Sequence, residues 1–130
     1  MQIINLTVDL SHLRSVHVDP TARLAYAQGG ALWSDVDAAT TPHGLVSVGG
    51  TVNHTGLGGL ITGGGFGYLT GQYGLVIDNL VEVTVVTAEG GVVRAREGEN
   101  EDLFWGVRGT HPLVLCGFCF MGELGGRGGR

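Results

Sequence analysis

The chain has 130 residues, enough for one domain or a piece of a larger one, with 43% hydrophobic and 15% charged residues. The net charge is −5 and the seven cations, all arginine, are scattered, which argues against a nucleic-acid partner. No lysine occurs, and this excludes a phosphate-loop lysine and a pyridoxal Schiff base.

A charged fraction well below the ordinary quarter or so implies a surface that something else covers. No run of about twenty apolar residues exists, so no transmembrane helix is expected. The start, Met1-Gln2-Ile3-Ile4-Asn5, lacks the charged and then apolar pattern of a secretory signal.

Residues 3–8 form a short β-rich run that turns at Asp9-Leu10-Ser11. Residues 15–18 and 24–28 read as two short strands separated by the turn signal Asp19-Pro20. Residues 34–40 read as a helix, with Ser34 as its N-cap and Asp37 three residues on. Trp33, Val36 and Ala39 or Thr40 share one side of it. Asp35 and Asp37 do not share a face, so a solvated helix start is expected there, not a catalytic carboxylate pair. Pro42 ends the helix, and residues 45–48 form a buried strand.

That strand delivers residues 48–67, of which nearly half are glycine. Each glycine loses more backbone entropy on folding than any other residue. Such a loss is offset where backbone must approach another body closely or adopt positive φ. Asn53, His54, Thr55 and Thr62 place amide, imidazole and hydroxyl groups between the glycines, and the stretch holds no cation. Leu57, Leu60 and Ile61 are spaced for one face of a short helix starting near Thr55. Successive backbone N–H groups ahead of a helix can form an anion-binding concavity. A phosphate-bearing cofactor lying on this loop is the expectation; tight turns in a glycine-rich chain are the alternative.

Residues 68–74 read as a short irregular helix stopped at Gly74, and residues 75–79 as extended with a turn at Asp78-Asn79. Residues 80–88 form the strongest strand, with Val81, Val83 and Val85 pointing one way. Glu89-Gly90-Gly91 turns the chain and residues 92–95 return beside it. Asn100 caps a last helix whose apolar face is Leu103, Phe104 and Val107, with Trp105 at its edge. Residues 113–120 have strand character, and the remainder has no periodicity and is expected to be disordered. Cys116 and Cys119 would suit a redox dithiol or half of a zinc site, but a second ligand pair and a following amphipathic helix are both missing.

These elements give an α+β fold with a mixed or antiparallel sheet of short strands and a few short helices. Strand and helix do not alternate as in a Rossmann domain, and no glycine in the stretch starts the dinucleotide fingerprint in register.

The run from Gly56 to Leu69, then Gln72-Tyr73-Gly74-Leu75 and Ile77-Asp78-Asn79, resembles the FAD-binding domain of the berberine bridge enzyme-like oxidases. These belong to the vanillyl-alcohol oxidase flavoprotein superfamily. Further similar pieces follow the family order: Val8-Asp9-Leu10-Ser11, Gln28-Gly29-Gly30-Ala31-Leu32-Trp33, His43-Gly44-Leu45, Thr87-Ala88-Glu89-Gly90 and the segment from Asp102 to Gly109. The resemblance implies FAD as cofactor, held by Gly49, Gly50, Thr51, Asn53, His54, Thr55, Gly56, Gly58, Gly59, Thr62 and Gly63, with Ile77 meeting it through backbone.

It also implies departures. The family's N-terminal subdomain, with its glycine-glycine-histidine loop, is expected to be missing before Ile3. Val52 stands where some members carry a cysteinyl link to the flavin, and unrelated sequence begins at Thr110-His111-Pro112. Residues 1–109 are therefore expected to be a partial FAD-binding domain, its second subdomain, and residues 110–130 an atypical, partly disordered tail. The implied function is the FAD-binding segment of an FAD-linked oxidoreductase acting on an alcohol, amine or sugar-like carbon, inactive on its own. A small-molecule substrate is expected only in the complete enzyme, with no nucleic-acid or membrane partner and no catalytic residue or metal ligand in this segment. The alternative is a non-catalytic remnant or interaction module that keeps the fold without flavin.

Overall fold

The computed structural model describes residues 7–109 and, as backbone, 118–126. Six strands and four α-helices follow one another as β1 (Val16–Asp19), β2 (Leu24–Gln28), α1 (Trp33–Thr40), β3 (Leu45–Ser47), α2 (Leu57–Thr62), α3 (Thr70–Tyr73), β4 (Leu80–Val86), β5 (Val92–Arg96), α4 (Glu101–Val107) and β6 (Phe118–Gly126). Short 3-10 turns cover Thr41–His43 and Val76–Asn79. The sheet runs β1-β2-β6-β4-β5, with β3 also on β6, and every pairing is antiparallel. The expected α+β class is thus the one observed.

Local chemistry explains most of the turns. Asp19 Oδ1 accepts the N–H groups of Thr21 and Ala22 at 2.9 Å each, which closes the β1–β2 hairpin. The β4–β5 hairpin closes through Gly90 at φ 83°, with Thr87 N–H donating to the Gly91 carbonyl at 2.8 Å. One core joins Trp33 and Val36 of α1, Leu57 and Ile61 of α2, Val83 and Val85 of β4, and Phe104 and Val107 of α4. Val83 and Val85 have no exposed surface, and each fully buried valine stabilises the fold by about 1.5–3 kcal/mol.

Several elements differ from the sequence expectation. Val81 is 40% exposed while Val83 and Val85 are buried, because the pairing with β6 slips between Leu80 and Glu82. The extra residue of that bulge sends Val81 outward. Residues 76–79 are a 3-10 turn, not extended chain. Asp78 Oδ2 accepts the Leu75 N–H at 2.8 Å, and Asn79 Nδ2 donates to the Tyr73 and Leu75 carbonyls. Short polar side chains here win the backbone from the strand. Asn100 stands at the N-cap position of α4 but its side chain does not cap; it has φ 52° and donates to the Arg94 carbonyl at 2.7 Å.

The largest difference is β6. Residues 113–117 lie outside the described residues; residues 118–120 keep the expected strand, which continues to Gly126 where disorder was expected. It pairs with β2 on one side and β4 on the other, so the sheet crosses the boundary expected at residue 109. With Gly122, Gly125 and Gly126, residues 121–126 carry little side-chain alternation to reveal a strand. Two flanking ladders can still satisfy its backbone.

Candidate functional site

The ribbon between β3 and α2 is pinned to the start of α1. Ser34 N–H donates to the Asn53 carbonyl at 2.8 Å and Trp33 N–H to the Thr55 carbonyl at 3.2 Å. In return, Leu57 N–H donates to the Ala31 carbonyl at 2.9 Å. This exchange corrects the expected Ser34 cap. The helix begins one residue earlier, at Trp33, and its first donors are satisfied by the ribbon's own carbonyls. Asp35 supplies the remaining anchor. Its carboxylate accepts Leu32 N–H at 2.8 Å and Arg14 at 2.8 and 3.0 Å. The Arg14 hydrogen bonds hold the Asp35 carboxyl below the usual carboxylate range, and the Leu32 N–H adds to that.

With the Asn53 and Thr55 carbonyls turned toward α1, the residues from Thr51 to His54 are exposed. Gly49 and Gly50 are half-buried, and a Cβ on Gly49 would lie 2.8 Å from Trp33 Cε3. Gly67 closes the ribbon from behind, where a Cβ would collide with the Gly49 carbonyl oxygen at 1.7 Å. Gly49 and Gly67 are required by packing within the chain. Gly56 and Gly59 are different. Both are exposed, and a Cβ on either would meet nothing within 4 Å. Among the described residues no contact accounts for their missing side chains.

The remaining candidate residues divide the same way. Gly63 is exposed and ends α2, whereas Thr55 is half-buried. Gly58 is buried, and Thr62 is 1% exposed with its hydroxyl donating to the Gly58 carbonyl at 3.1 Å. That hydroxyl is committed to the helix. Ile77 is also buried; its N–H donates to the Gly64 carbonyl at 2.9 Å and its carbonyl accepts the Leu80 N–H. The structure therefore gathers Thr51, Asn53, His54, Gly56, Gly59 and Gly63 as accessible groups and places Gly58, Thr62 and Ile77 beneath the surface.

Trp33 is given no part in the site by sequence patterning. It was legible as a helix-face apolar residue, but its contact with Gly49 and Gly50 joins positions far apart in the chain, which local periodicity does not encode. A separate hollow shares only Ile77 with the candidate residues. It has a volume of about 330 Å³ and is lined by Ile77, Asp78, Trp105, Gly106, Arg108 and Gly109. The Arg108 guanidinium sits 5.4 Å over the Phe104 ring. Among the described residues no helix is long and apolar enough to cross a membrane.

A family model described as an FAD binding domain matches residues 3–96. The chain is 49% identical over 107 residues to the FAD-linked oxidoreductase pgmH of Aspergillus terreus, covering 82% of this chain and 22% of that protein. It is 38% identical over 108 residues to berberine bridge enzyme-like D-2 of Nicotiana tabacum, covering 80% of this chain and 19% of that protein. The solved structure of glucooligosaccharide oxidase from Acremonium strictum superposes with a TM-score of 0.83 at 32% identity, covering 89% of this chain and 24% of that one. The chain thus spans less than a quarter of the length of these relatives. With most of its residues matched, the chain belongs to the FAD-binding domain family of FAD-linked oxidoreductases, and FAD is the cofactor of that family.

Proposed function

We propose that this chain is the FAD-binding segment of an oxidoreductase and that the dinucleotide lies along the exposed edge of the ribbon, from Gly49 to Gly63. The observation that carries this is the pair Gly56 and Gly59. They flank the start of α2 with no side chain, and a methyl group on either would find no internal neighbour within 4 Å, so backbone there is open to a ligand. Thr51, Asn53 and His54, all exposed, supply polar groups beside it. Neutral donors of this kind suit a pyrophosphate without a lysine. Thr55 and Gly50 shape the ribbon through α1 and Trp33. Gly58, Thr62 and Ile77 support it from within.

Bound FAD would supply the redox chemistry, serving in the complete enzyme as hydride acceptor for an alcohol, amine or sugar-like carbon. The segment's own residues bind and orient. A small-molecule substrate belongs to the complete enzyme, and the net charge of −5 disfavours a nucleic-acid partner. The glucooligosaccharide oxidase is described with a 6-S-cysteinyl, 8α-N1-histidyl FAD. Val52 has no sulfur to form such a cysteinyl bond.

A second reading rests on Phe66 and Tyr68, which are 71% and 88% exposed beside the ribbon. Exposed aromatics of this size suit an interaction module that keeps the fold without flavin. Flavin titration of the purified chain separates the two. Saturable quenching of flavin fluorescence supports the FAD segment; a folded monomer with no response at high micromolar FAD supports the module.

A further inference from the structure

Trp33 is 3% exposed, and its Nε1–H is buried with no hydrogen-bond partner among the described residues. An indole nitrogen can only donate, and an unpaired buried donor is expensive to keep. Its position is informative. The six-membered ring lies against Gly49, while the site of a Gly50 Cβ is 3.5 Å from Nε1 and 3.6 Å from Cδ1. The same Gly50 position is 2.7 Å from Leu60 Cδ2. The donor and one methyl of the half-buried Leu60 thus both border the space that a Gly50 side chain would fill, at the ribbon proposed to carry FAD.

We propose that Trp33 Nε1–H is a ligand donor kept beside Gly50, uncovered when the Leu60 methyl rotates aside and then donating to a phosphate oxygen of the bound dinucleotide. A phosphate oxygen is the acceptor-rich partner that a donor-only group lacks. Leu60 is the movable part, because its methyl is the far end of a flexible side chain, whereas Gly50 is fixed backbone. This inference rests on the FAD reading of the ribbon.

The test is a ¹H–¹⁵N spectrum of the full chain, which has two tryptophans and so two indole signals. Trp33→Phe identifies the Trp33 signal, and the 80% exposed Trp105 serves as the internal control. Added FAD is expected to move the Trp33 indole signal downfield, while riboflavin, which lacks phosphates, leaves it in place. Trp33→Phe keeps a ring against Gly49 but removes the donor, and is expected to weaken FAD binding about tenfold. If FAD shifts the ribbon amides but not the Trp33 indole, or if riboflavin shifts it equally, the inference is wrong and the FAD site stands. If neither ribbon nor indole responds, both are wrong.

Discussion

Substituting Gly59 by alanine separates a glycine kept for folding from one kept for a ligand. Gly59 lies inside α2, is exposed, and has nothing within 4 Å of an added Cβ. Alanine in a helix interior is about 1 kcal/mol better than glycine, partly because the unfolded chain has fewer conformations to lose. At this chain length a gain of ~1 kcal/mol raises the melting temperature by roughly 4 °C. The methyl would project from the face where the dinucleotide is proposed to rest. If backbone and ligand are in contact there, FAD affinity falls at least about tenfold, or ~1.4 kcal/mol. Thermal unfolding by circular dichroism and flavin titration of the same sample measure both quantities. A lower melting temperature would show that Gly59 is a packing residue after all. A higher one with unchanged FAD affinity would remove the ligand from this face.

Gly67→Ala is expected to do the opposite: its Cβ would fall 1.7 Å from the Gly49 carbonyl oxygen, so backbone must move and urea midpoints should register a loss of about 2 kcal/mol or more. On β4, Val83→Ala should lower stability by about 2 kcal/mol, while Val81→Thr on the bulge should change it by no more than about 0.5 kcal/mol in the same assay. Asp35 gives a pH prediction. Its folded carboxyl is lowered by Arg14, so the unfolded chain binds this proton first, and the contribution is complete above about pH 5 and lost as pH falls through the lowered value. Asp35→Asn should therefore flatten part of the stability loss as pH falls below about 5, by a small amount for so accessible a pair. Identical pH profiles would mean that the Arg14 pair contributes nothing.

Much of the fold was legible wherever side chains alternate or turn residues act locally. The hairpin at Asp19, the strand pair around Gly90 and the apolar face of Phe104 and Val107 all follow from short-range chemistry. What was not legible depends on partners distant in sequence. Ser34 has the composition of a cap, yet the Asn53 and Thr55 carbonyls take that role. Val81 alternates correctly with Val83, yet a bulge opposite β6 turns it outward. The strand Phe118–Gly126 is defined by β2 and β4 more than by its own residues. At the site, the glycine-rich ribbon announced itself, but composition could not divide it. Only coordinates separate Gly67, required by a neighbouring carbonyl, from Gly56 and Gly59, which face open space.

Amide hydrogen exchange with and without FAD tests the central claim most directly. The account predicts that saturating FAD slows exchange along residues 49–59, with the amides of β4 and β5 unchanged. Protection confined to other parts of the chain, or none on the ribbon while FAD is bound, would contradict it.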